Sequence, residues 1–271
     1  MKLAALDAVW YDMPFEPRLR RISELKFSGV ECWLNAAELG FNVDREWPEQ
    51  YRPKGKLTLT RDKLSKLLDE LDLRIVSYGQ YCVMGPVLGP YPTEVLTGSR
   101  KKERVGDIKG LMSYCAEVGV TMLILESGGD PDNPNHWKPF LEDFMSELVS
   151  HAEEVGVVIA MENTPQALVK DEDDLLRLVK EMPSKALRVN LDPANLNATP
   201  PGNRDVPNAI RKLRGHLVSV HAKDSVYGGG PYGTFPDGTW GSRPIGQGTV
   251  PWGRCVQALK ELSLIHISEP T

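Results

Sequence analysis

Seven short apolar runs, each followed by a helix-like stretch, constrain this chain more than any other feature. The runs fall at residues 3–10, 29–34, 73–77, 120–126, 157–162, 186–192 and 217–221. They lack the apolar–polar alternation of half-exposed strands, so they read as strands covered on both faces, the pattern of a parallel sheet. Helix-like stretches follow at 17–27, 60–71, 101–118, 136–155, 171–182, 206–213 and 251–261, with Pro251 suited to a first helical turn. Polar or Gly/Pro-rich loops occupy 35–56, 81–98 and 224–248. No unit carries the Gly-x-Gly-x-x-Gly turn of a dinucleotide fold. Ala116-Glu117-Val118-Gly119-Val120 is echoed by Glu153-Glu154-Val155-Gly156-Val157: a helix end, a Gly suited to a left-handed turn, then a strand. Seven such units plus a last helix describe an α/β chain, a TIM (β/α)8 barrel whose natural eighth strand is missing. An open doubly wound sheet is the alternative.

Residues 262–271 read LSLIHISEPT. This string resembles the translation of a transposon-derived sequencing adapter and on that resemblance is expected to be non-native, although Leu264 to Ile267 is strand-like and Glu269 follows it. The expected domain is therefore residues 1–261, a single barrel. The 271 residues carry 32 Lys plus Arg against 37 Asp plus Glu, a net charge of −5. Without the segment the balance is 32 against 36, or −4, since it holds one acid and no base. An apolar fraction of 41% excludes a disordered chain. Mild acidity argues against nucleic acid as a partner. No run reaches the roughly 18 apolar residues of a membrane span, and the first residues lead directly into a strand, so a cytoplasmic protein is expected. Cys32, Cys82, Cys115 and Cys255 lie too far apart for a disulfide framework or a thiolate zinc site.

In a parallel barrel the functional side chains come from the carboxyl ends of the strands. Those positions hold Trp33, Glu126, Glu162 with Asn163, Asp192 and His221. Carboxylates at a barrel mouth are costly unless paired or metal-bound. Glu162, Asp192 and His221 close successive strands, and two oxygens with one imidazole nitrogen suit a divalent ion, Mn²⁺, Mg²⁺, Co²⁺ or Zn²⁺. The competing reading is structural: helix caps, lysine partners and a core histidine. Lys223 shares a side with His221 and either anchors a substrate oxygen or pairs with Asp192 or Glu126. Asp224 ties down the following loop or caps its start. Trp33 is an apolar wall for a pocket or a plain core aromatic. Tyr78, Tyr81 and Trp240 are candidates to roof a pocket, and His136, His151 and His216 read as structural or surface residues.

Four segments resemble, in order, the signatures of the xylose-isomerase-like barrel family. They are Ile159-Ala160-Met161-Glu162-Asn163, Asn190-Leu191-Asp192-Pro193-Ala194-Asn195, Val220-His221-Ala222-Lys223-Asp224 and Gly246-Gln247-Gly248-Thr249-Val250-Pro251-Trp252. The resemblance implies a metal held by Glu162, Asp192, His221 and a further Glu from an eighth strand beyond Glu261. It also implies that Glu162 is one of two glutamates exchanging a proton with the carbon next to a carbonyl, through an enediolate. Two departures bear on the substrate. Asn195 stands where many sugar epimerases of the family have His, so this position donates to a sugar hydroxyl without titrating near neutrality. Ser225-Val226-Tyr227-Gly228 replaces the stretch where they place an Arg.

The leading expectation is a metal-dependent isomerase or epimerase of a small sugar or polyol, with Trp33, Asn195 and Lys223 as substrate contacts. An inosose-type dehydratase follows. A phosphodiesterase acting at abasic DNA and a non-catalytic barrel are further alternatives. The resemblance also implies a homodimer.

Overall fold

The computed structural model describes residues 3–10, 12–33, 61–85, 95–199, 202, 204–226 and 242–267. The expectations for Trp240 and Glu269 lie outside these, as does all of the 35–56 loop. Seven strands form one parallel sheet in chain order: β1 (Ala4–Leu6), β2 (Gly29–Cys32), β3 (Arg74–Cys82), β4 (Met122–Glu126), β5 (Val158–Glu162), β6 (Leu187–Leu191) and β7 (Leu217–Val220). Helices cross over between them: α1 (Phe15–Glu24), α2 (Arg61–Glu70), α3 (Gly98–Glu117), α4 (Ser146–Val155), α5 (Glu172–Glu181), α6 (Pro193–Ala198) and α7 (Val206–Lys212), with α8 (Trp252–Ile267) last. The sheet is open and curled, an incomplete (β/α)8 barrel.

Its core follows from the patterning. Only the first residue of β4 and of β5 is partly exposed, since the sheet interior lies on one face and the helices on the other. The helices contribute apolar stripes at helical spacing. Phe15, Leu19 and Ile22 of α1 and Leu175, Leu178 and Val179 of α5 are buried, and burying such a side chain stabilises by roughly 1.5–3 kcal/mol. Asp171 starts α5 by accepting hydrogen bonds from the amides of Asp173 and Asp174. The echoed glycines behave alike: Gly119 and Gly156 take φ of +76° and +74° just before β4 and β5, the left-handed turn that glycine enters without steric cost.

Several boundaries differ from the sequence reading. The first run is a strand only to Leu6, because Asp7–Trp10 winds into a 3₁₀ turn. The buried Asp7 carboxylate there accepts the backbone N–H of Trp33 and faces Arg18. β3 runs on to Cys82, past the expected loop start at residue 81, since Tyr81 and Cys82 still pair with Leu125 and Glu126 of β4. The strand-like residues 264–267 instead extend α8. No Gly or Pro falls between residues 254 and 267, so helix propagation meets nothing that stops it. No helix among the described residues is long and apolar enough to cross a membrane.

After β7 the chain makes a short antiparallel pair, β8 (Asp224–Ser225) with β9 (Ser242–Arg243). The buried Asp224 carboxylate accepts hydrogen bonds from the backbone amides of Ser225, Gly246, Gly248 and Val250, at 2.8 to 3.2 Å. It thus both caps the start of the loop and ties its far end. A Cβ at Gly248 would run into this carboxylate.

Candidate metal centre

Because the strands are parallel, their carboxyl ends open at one mouth, where charged residues interrupt an otherwise apolar core. Glu162 ends β5 and is fully buried. Asn190 Nδ2 donates to its Oε2 at 3.3 Å, and Asn195 Nδ2 donates to its Oε1 at 3.2 Å. Asp192 follows β6 and caps α6: Oδ1 accepts the amides of Ala194 and Asn195 at 2.8 and 3.0 Å. Asn163 locks the same turn, accepting from the Asp192 amide and donating to its carbonyl. With Oδ1 committed to the cap, the other carboxylate oxygen of Asp192 is directed into the mouth.

His221 follows β7. Its Nδ1 lies 3.0 Å from Glu162 Oε2, and its Nε2 lies 3.0 and 3.2 Å from the two oxygens of Glu31. Lys223 brings Nζ to 2.7 Å from Asp192 Oδ2 and 3.9 Å from Glu162 Oε1, with its side chain 41% exposed. Glu162, Asp192 and His221 each offer a ligand atom within 4.8 Å of the others. Asp192 Oδ2 and His221 Nδ1 are buried and, despite these short approaches, make no hydrogen bond of acceptable geometry. Two carboxylate oxygens and one imidazole nitrogen brought this close are a donor set of the kind a divalent cation takes.

Electrostatics divide the mouth. Burial opposes ionisation of Asp192, but Lys223 and His221 outweigh it and hold the carboxyl below its usual range. Burial likewise opposes the charged form of Glu31, and His221, Trp33 and Ser77 reverse that too. Desolvation works against protonated His221, yet Glu162 and Glu31 raise it well above the ordinary imidazole range. Lys223 is held charged by Asp192 and Glu162 against its own desolvation. Glu126 goes the other way: burial and then the charge of Glu162 push it up to about 7, so it keeps its proton near neutrality. Cys82 Sγ–H donates to it at 3.4 Å.

The structure therefore brings Glu162, Asp192, His221, Asn195 and Lys223 into one cluster, and Lys223 pairs with Asp192, one of its two expected partners. Trp33 is half-buried, and its indole N–H donates to Glu31 Oε1 at 2.7 Å. Tyr78 does not roof a pocket: it is fully buried and packs edge-on against Tyr114, with ring centroids 5.9 Å apart. His136 and His151 bond to loop and helix neighbours outside the cluster. Sequence reasoning missed Glu31 and Asn190. The available signal was a charged or amide side chain inside a strand that is otherwise buried on both faces.

The xylose isomerase-like TIM-barrel family model matches residues 19–267. L-ribulose-5-phosphate 3-epimerase UlaE of Shigella boydii serotype 18 is 24% identical over 248 residues, covering 89% of this chain and 82% of that protein. Among solved structures, the probable 3-DHS dehydratase AsbF of Bacillus anthracis superposes with a TM-score of 0.73 at 15% identity, covering 96% of this chain and 89% of that one. The IOLI protein with a binding zinc atom gives 0.69 at 18% identity, covering 97% and 85%. With the family model matched over most of its length, this chain belongs to the xylose isomerase-like TIM-barrel family.

Proposed function

We propose that this protein is a divalent-metal-dependent sugar isomerase or epimerase that moves a proton at the carbon beside a carbonyl, passing through an enediolate. The observation that carries the reading is the convergence of Glu162, Asp192 and His221 at the ends of three consecutive strands, each offering a ligand atom within 4.8 Å of the others. Two oxygens and a nitrogen suit Mn²⁺, Mg²⁺, Co²⁺ or Zn²⁺. When bound, such an ion supplies Lewis-acid polarisation of a carbonyl oxygen.

The remaining chemistry belongs to the side chains. Glu162 is the proton-transfer carboxylate, aimed by the Asn190 and Asn195 amides on its two oxygens. Asn195 Nδ2 is committed to Glu162 Oε1 and the Asn163 carbonyl, so its substrate contact falls to Oδ1, which accepts from a sugar hydroxyl. Lys223 balances the Asp192 charge and reaches a substrate oxygen from its exposed side. Trp33 offers its half-buried ring to the carbon face of the sugar. A small sugar or polyol is the substrate class, consistent with the epimerase among the relatives.

One observation favours a second reading, an inosose-type dehydratase. Glu126 is the register partner of Glu162 and holds its proton to about 7, and expelling hydroxide beside a carbonyl needs such an acid.

The deciding experiment incubates the Mn²⁺-supplemented protein with a panel of ketoses in D₂O and follows C2 and C3 by NMR. Deuterium incorporation without loss of water supports the isomerase or epimerase. A dehydrated diketone product supports the lyase. Neither exchange nor water loss across the panel would sink both.

A further inference from the structure

Glu31 approaches the metal cluster from the far wall. It lies on β2, while His221 follows β7, so their contact spans the barrel interior between residues 190 apart in sequence. The register between β2 and β3 slips between Val30 and Glu31, an irregularity of the kind that re-aims a side chain next to a site. We propose that Glu31 is a positioning residue of the metal centre, holding His221 through Nε2 so that Nδ1 is the nitrogen presented beside Glu162 and Asp192. The proposal rests on the metal-dependent reading above.

The donor inventory around Glu31 carries the argument. Trp33 Nε1 is a donor only and lies 2.7 Å from Glu31 Oε1, so that oxygen accepts. The Ser77 hydroxyl donates to Oε2 at 3.0 Å. Both oxygens are thereby fixed as acceptors, and the His221 Nε2 lying 3.0 and 3.2 Å from them must carry a proton. In a neutral imidazole the lone pair is then on Nδ1, the atom that is buried, without a hydrogen bond, and 3.0 Å from Glu162 Oε2. A carboxylate that holds the remote N–H of a ligating histidine fixes both the ring orientation and the tautomer. Trp33 and Ser77 act one step further out, through Glu31.

The test uses the full chain labelled with ¹⁵N-histidine and titrated with Zn²⁺, His221 being assigned by comparison with His221→Ala. The expected spectrum shows His221 metallated at Nδ1 and protonated at Nε2. Glu31→Gln is expected to weaken Zn²⁺ affinity, measured by calorimetry, by roughly 10–100-fold. Trp33→Phe is expected to weaken it less, in the same direction. Metallation at Nε2 overturns the proposal, and so does unchanged Zn²⁺ affinity in a folded Glu31→Gln variant. Should that variant not fold, the parent spectrum and Trp33→Phe decide. A parent that binds no Zn²⁺, Mn²⁺ or Co²⁺ sinks the metal-dependent reading and this inference with it, whereas a metal-binding parent with the wrong nitrogen ligated sinks this inference alone.

Discussion

The two halves of the barrel mouth hold the same kind of residue and treat it in opposite ways. On the β5–β7 side, Glu162, Asp192 and His221 leave ligand atoms facing one another. On the β2–β4 side, Glu31 is saturated by Trp33, Ser77 and His221, and Glu126 avoids its charge by keeping a proton. Burial does not distinguish the halves, since all of these carboxylates are buried. What differs is where the lone pairs point and what meets them. The α6 cap uses one oxygen of Asp192 and turns the other toward Lys223 and the mouth, whereas both oxygens of Glu31 are taken by neighbouring donors.

Breaking the β5–β7 half should give the largest effect. Glu162→Gln keeps the shape and one of the two amide contacts but removes the proton acceptor, and should lower the rate of solvent exchange by about 10²–10⁴-fold in the D₂O assay. A variant exchanging at the parent rate would remove Glu162 from the chemistry.

The protonated carboxyl of the other half predicts a pH effect. An unfolded Glu126 ionises near 4.5, whereas the folded one holds its proton to about 7. Between those values the unfolded chain gives up a proton that the folded chain keeps, so the stability contributed by this group falls as pH rises, by on the order of 3 kcal/mol. Below 4.5 and above 7 its contribution is flat. Denaturant midpoints of Glu126→Gln across pH 4 to 8 should lack this decline relative to the parent, and parallel curves would contradict it.

A smaller effect separates the two tasks of Asp192. Asp192→Asn and Asp192→Ala should both lose metal affinity by calorimetry. Only the alanine should also give up the α6 cap, at about 1 kcal/mol in thermal or denaturant melts. Equal melts for the two variants would deny the cap its role.

The sequence made the β5–β7 half legible and left much of the β2–β4 half dark. Glu162, Asp192 and His221 end consecutive strands, and strand ends in a parallel sheet converge without further information. The Glu31 role depends on curvature, because it meets His221 only once the sheet has curled far enough to bring β2 opposite β7. Local pattern carries no such angle. Trp33 shows the same limit. As a strand-end aromatic it reads as a wall, and only the folded chain shows its N–H engaged by a carboxylate two residues back. Tyr78 was misread because β3 continues past residue 77, which carries its ring into the core. The helical continuation to Ile267 shows that apolar pattern alone does not separate strand from helix in a short run.

The Asp224 carboxylate gathers amides up to 26 residues further along the chain, immediately ahead of α8. By clamping the two ends of that excursion together, it separates the excursion's length from the placement of the last helix. Lengthening an already closed loop is cheap: doubling it costs about 0.6 kcal/mol in closure entropy. Insertions and deletions between the clamped ends can therefore be sampled in evolution, or in a library, while the barrel wall keeps its register. Variation there is uncoupled from the scaffold by one side chain and the glycine that makes room for it.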